Sequence, residues 1–132
     1  MYNLTNQDSF LRTFGRAVNE CWDKPAIDEF KASSITYGEL AAELDKTVHC
    51  WKAAGLKPGD KIAINARSSA GWAKTFFAAQ TGGFVAVQLF NGFTPADTMQ
   101  LVNHSDSRIL YTEKAIFEKM DFAAMPDRKS VV

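Results

Sequence analysis

Residues 61–111 read KIAINARSSAGWAKTFFAAQTGGFVAVQLFNGFTPADTMQLVNHSDSRILY, and their alternation decides the fold. Lys61 to Asn65 is a short apolar strand. Ser68 or Ser69 then opens a helix through Gly71, Trp72, Phe76, Phe77 and Ala79. That helix is apolar almost all round, broken chiefly by Lys74, so it is expected to pack on two sides. Gly82-Gly83 stops it. Phe84 to Leu89 is a continuous apolar run, the pattern of a strand covered on both faces. Thr94-Pro95-Ala96-Asp97 starts the next helix, with threonine as cap, proline at the first position and an acid in the first turn. It runs to about His104, and Arg108 to Tyr111 is again a strand. Strands and helices alternating at this spacing predict βαβ crossovers and a largely parallel sheet with helices on both faces. The fold class is α/β.

Towards the N-terminus, Phe10, Phe14, Ala17, Val18, Cys21 and Trp22 recur at helical intervals and predict a helix over about Ser9 to Trp22. Asp23-Lys24-Pro25 ends it, because proline disfavours helix in the residue before it. Ala26 to Phe30 and Ser34 to Tyr37 then read as a short β-hairpin. Thr36 caps the following helix, with Glu39 three residues on as a capping box requires. Leu40, Leu44, Val48 and Trp51 share one arc, while Asp45, Lys46, His49 and Lys52 lie opposite. Gly55 supplies the left-handed residue that closes this helix, and Pro58 follows. At the other end, Glu113 to Met120 predicts a helix and Ser130 to Val132 the beginning of a strand.

The chain has 132 residues, 15 basic and 15 acidic, so its formal net charge is zero. Hydrophobic residues at 46% and charged ones at 23% describe one ordinary globular unit, residues 1–132. Without a basic excess there is no surface to neutralise phosphates along a strand, which argues against nucleic acid as a partner. No run approaches the roughly 20 apolar residues of a transmembrane span. Asp8 and Arg12 interrupt the N-terminus where an export signal would be apolar. Cys21 and Cys50 form no C-x-x-C pair and read as reduced packing residues. A cytoplasmic location is the expectation.

In open α/β sheets ligands sit at the carboxyl ends of strands, so the turns there are the places to search. Ser68 and Ser69 could bind an anion through helix-start amides, with Arg67 adding charge, or simply cap the helix; capping is the commoner use. Gly82-Gly83 precedes a strand and so does not match the G-x-G-x-x-G of dinucleotide sites, and no P-loop occurs. His49 and His104 fall on polar helix faces without ligand-spaced companions, so no metal site is expected. Glu39, Glu43 and Asp45 lie on a solvated face, unsuited to general acid–base work. Trp72, Phe76 and Phe77 read as core. No catalytic, cofactor-binding or metal residue is assigned.

The ordered series of segments nevertheless resembles a family. Ile35-Thr36-Tyr37-Gly38-Glu39-Leu40 is similar to the first core motif of the AMP-forming acyl-CoA synthetases. Ala54 to Ile64 resembles their "G-x-x-x-G-D-x-V-A-I" stretch. Ser68-Ser69-Ala70-Gly71-Trp72 occupies the place of an "N-S-x-E-W" helix start, and Gly82 to Leu89 that of the second core motif. Asn103-His104-Ser105 resembles the segment that follows, most like the long-chain fatty acid ligases. Gln88, Phe90 and Gly71 depart from the family pattern. The resemblance covers about Pro25 to Met120 and implies part of the large N-terminal domain of a ligase. Such an enzyme uses ATP and Mg²⁺ to turn a carboxylate into an acyl-adenylate, then transfers the acyl group to CoA. The family's phosphate-gripping loop and catalytic lysine match no position here. The resemblance therefore implies an inactive segment whose partner is the rest of the ligase; a separate alternative is an interaction fragment that pairs with a second copy through exposed apolar surface. A receiver-like regulatory module is the alternative; it needs acids after its strands, and the turns after Asn65 and Leu89 have none.

Overall fold

Local chemistry sets the element boundaries in the computed structural model, which describes residues 9–124 and 129–131. Helix α1 spans Phe10–Glu20, and strands β1 (Pro25–Asp28) and β2 (Ser34–Thr36) form the antiparallel hairpin. Helix α2 covers Tyr37–Ala53. Its capping box is reciprocal: Thr36 Oγ1 accepts from the Glu39 N–H at 3.2 Å, and Glu39 Oε2 accepts from the Thr36 N–H at 2.8 Å. Gly55 closes the helix at φ +93°, and the Leu56 N–H returns to the Trp51 carbonyl. Strand β3 (Lys61–Asn65), helix α3 (Ala70–Gly82), strand β4 (Val85–Gln88), helix α4 (Pro95–His104) and strand β5 (Ile109–Thr112) follow. Helix α5 is only Lys114–Phe117, shorter than the predicted Glu113 to Met120, and β6 is Lys129–Val131. Val132 and residues 1–8, where the export-signal reading rests in part, lie outside the described residues.

The four strands β4-β3-β5-β6 make a parallel sheet in that order. Alternation along the strands separates two cores. Ile62, Ile64 and Ile109 face α1, α2 and α3, where Phe14, Leu40, Leu44 and Ala78 are buried. Ala63 and Leu110 face α4, with Met99, Val102 and Met120. Helices therefore cover both faces, as expected. Helix α3 packs on two sides: Phe77 stacks on Phe14 of α1 at 4.6 Å between centroids, and Lys74 reaches Glu43 of α2 at 2.7 Å.

Four expectations need correction. Strand β4 is not fully covered: Val85 is 45% exposed, Ala86 and Val87 are half-buried, and among the described residues its one strand neighbour is β3. Trp22 falls beyond the end of α1 and is half-exposed, its ring lying over Gly38. Cys50 is exposed rather than packed, one position off the buried arc of α2; Cys21 is half-buried. Trp72 and Phe76 are half-buried and stack on each other at 5.5 Å, so they belong to the rim of the core. Glu43 lies on the exposed face of α2, as expected, where Lys74 reaches it.

Candidate functional site

The direction of winding reverses between β3 and β5. The chain leaves β3 through α3 to reach β4 on one side, whereas it leaves β5 for β6 on the other. Loops that diverge from two neighbouring strand ends leave a crevice, the place where doubly wound sheets take ligands. Here it is an open cleft of about 520 Å³. Arg67, Ser68 and Ser69 border it from the β3 side, and Tyr111, Thr112 and Glu113 from the β5 side.

One carboxylate ties the two sides together. Glu113 Oε1 accepts from the Arg67 backbone N–H at 2.8 Å and from its Nε–H at 3.1 Å. The backbone hydrogen bond first, then the guanidinium hydrogen bond and charge, hold the Glu113 carboxyl below the usual range. A second carboxylate arrives from the hairpin turn. Glu29 Oε1 accepts from the Ala70 N–H at 3.1 Å, while Ser69 Oγ accepts from the Trp72 N–H at 3.1 Å. Ser69 is thus a helix cap, and the anion drawn to this helix start is the chain's own Glu29.

Tyr111 stands between these groups. Its hydroxyl occupies the space that a side chain at Gly71 would need, so a Cβ there would collide with it. Burial pushes the Tyr111 hydroxyl up from its ordinary pKa, and Glu113 and Glu29 add to this, with Lys74 opposing. The departure at Gly71 from the "N-S-x-E-W" pattern thereby has a structural counterpart: the tyrosine fills what the missing side chain leaves. Sequence reasoning missed Glu29, Tyr111 and Glu113. The available signal was an arginine after one strand and an acid after its parallel neighbour.

His49 and His104 are exposed on α2 and α4, and the cleft brings neither in. Among the described residues no group of three or more His, Cys, Asp or Glu side chains could hold a metal ion. No described helix is long and apolar enough to cross a membrane.

Residues 14–132 match the family of AMP-binding enzymes. The chain belongs to that family. It is 34% identical over 76 residues to an acyl-CoA ligase of Aspergillus fumigatus, covering 58% of this chain and 13% of that protein. A fatty acid–[acyl-carrier-protein] ligase of Streptomyces coeruleorubidus is 31% identical over 97 residues, 71% of this chain and 18% of that one. The chain therefore spans less than a fifth of the length of these curated relatives. In three dimensions it matches the O-succinylbenzoate coenzyme A synthetase of Bacillus subtilis, solved with AMP, at a TM-score of 0.70 and 20% identity. That likeness covers 89% of this chain and 30% of the synthetase and establishes the α/β fold of adenylate-forming enzymes. Family membership sets aside the receiver-like alternative.

The start of α3 at this cleft is a poor cradle for the phosphates of the nucleotide that the family implies. A phosphate needs free amides or a glycine-rich loop. The Ala70 and Arg67 amides are already taken by Glu29 and Glu113.

Proposed function

We propose that this chain is part of the N-terminal domain of an adenylate-forming ligase, one domain-forming unit over residues 1–132 without catalytic residues of its own. In the whole protein a carboxylate oxygen attacks the α-phosphorus of Mg-ATP and releases pyrophosphate. The CoA thiol then attacks the acyl carbonyl and releases AMP. The observation that carries this reading is the family match across 14–132, joined to a fold that follows an AMP-complexed synthetase over most of the chain. A long-chain fatty acid is the substrate we favour, supported by the Asn103-His104-Ser105 segment and by a relative named for fatty acid ligation. Two free cysteines and the absence of a membrane-length helix among the described residues support a cytoplasmic location.

The substrate is tested by incubating the full gene product with ATP, Mg²⁺, CoA and a series of acids: acetate, benzoate, octanoate and palmitate. Thioester formation fastest with palmitate is expected. Formation fastest with acetate or benzoate overturns the fatty-acid reading and leaves the ligase reading intact. As a second reading we infer self-association through exposed apolar side chains, among them Phe10, Trp22, Phe30, Phe90 and Phe93. Light scattering decides it, and a monomer at all concentrations removes it.

A further inference from the structure

Beneath the cleft, the two strands that flank the reversal end on a buried polar floor. Asn65 closes β3 and Thr112 closes β5, and the two are register partners in the parallel pair. Alternation puts both on the α4 face, following Ala63 and Leu110. Asn65 is 0% exposed, Thr112 2% and Thr98 of α4 0%. Asn65 Nδ2 donates to Thr98 Oγ1 at 2.6 Å, which anchors β3 to α4. Asn65 Oδ1 and Thr112 Oγ1 are then left buried with no protein partner. Two such atoms on neighbouring strand ends are unfavourable if dry, and native proteins pair nearly all of them.

We propose that one ordered water molecule sits between Asn65 Oδ1 and Thr112 Oγ1 and joins β3 to β5 at the base of the cleft. Neighbouring strands lie about 4.8 Å apart. Two hydrogen bonds of about 2.8 Å each, bent at a water oxygen, span that gap. The site is polar enough to hold a water, which needs 2–4 polar partners. Its chemistry also suits both orientations of the Asn65 amide, since water donates as well as accepts. Thr112 borders the cleft, so the site lies directly beneath its floor. Arg67 lies two residues beyond Asn65 and Glu113 one beyond Thr112, so the water joins the strand ends that carry the Arg67–Glu113 clasp. The inference is independent of the ligase reading.

The test is a crystal structure of the full-length protein at a resolution that orders water, with Thr112→Val and Thr112→Ser beside the wild type. One water within hydrogen-bond distance of both atoms is expected in the wild type and in Thr112→Ser. It should be missing from Thr112→Val, with a melting temperature lower by about 2–4 °C. A direct Thr112–Asn65 hydrogen bond or a dry site in the wild type overturns the proposal, as does Thr112→Val melting at or above the wild type. If Thr112→Val does not fold, the other two crystals still decide.

Discussion

The two faces of the sheet are built to different rules. On one, three helices bury Phe14, Val18, Leu40, Leu44, Trp51 and Ile64 in a continuous apolar mass. Its buried polar side chain, Thr75, is satisfied by donating to the Gly71 carbonyl at 2.8 Å. On the other, α4 covers a small cluster around Leu110, leaves Val85 half-exposed, and adjoins Asn65, Thr98 and Thr112 at the strand ends. The thick face supplies stability and the thin face supplies polarity near the cleft. Because removing a buried side chain costs most where surroundings cannot collapse, equal truncations should not cost equally on the two faces.

The largest expected effect is therefore a paired comparison. Leu44→Ala on the thick face should destabilise by about 4–5 kcal/mol, near the top of the range for such changes. Leu110→Ala on the thin face should cost about 2–3 kcal/mol. Urea unfolding measures both, and equal losses would break the contrast between the faces.

An intermediate effect concerns the contact between α3 and β5. Replacing a helical glycine by alanine favours the helix by up to about 1 kcal/mol. At Gly71 the collision with the Tyr111 hydroxyl opposes that gain. Gly71→Ala should accordingly be neutral or destabilising in the wild type, but stabilising in a Tyr111→Phe background. A double-mutant cycle with no coupling would show that the tyrosine does not fill the glycine's space.

The smallest effect is electrostatic. Since folding lowers the Glu113 pKa, its pairing with Arg67 adds stability above the unfolded carboxyl's pKa, and this is lost as pH falls through the folded value. Glu113→Gln should melt slightly below the wild type at pH 7, and the gap should close under acid conditions below the ordinary carboxylate range. A gap that widens in acid would contradict the assigned cause. Arg67 is exposed and Glu113 half-buried, so added salt should partly shrink the difference.

What the sequence makes legible here is local. Thr36 and Glu39 are three residues apart, and Thr94, Pro95 and Asp97 lie in one turn, so their caps follow from spacing alone. The ends of β3 are legible because Lys61 and Asn65 bracket an unbroken apolar run. The edge position of β4 was illegible, because Phe84 to Leu89 looks the same whether or not a strand lies beyond it. The cleft's clasps were hidden for a related reason. Arg67 and Glu113 are 46 residues apart, Ala70 and Glu29 are 41 apart, and only the strand order brings them together. Cys50 shows the limit of helical periodicity, since one position's rotation about α2 separates a packed thiol from an exposed one.

The central claim is that this stretch shapes a ligase whose nucleotide chemistry is carried elsewhere in the protein. It is tested most directly by ATP–pyrophosphate exchange in the presence of palmitate, comparing the full gene product with residues 1–132 alone. Exchange by the full product and none by the 132-residue chain is the predicted result. Palmitate-dependent exchange catalysed by residues 1–132 on their own would contradict it.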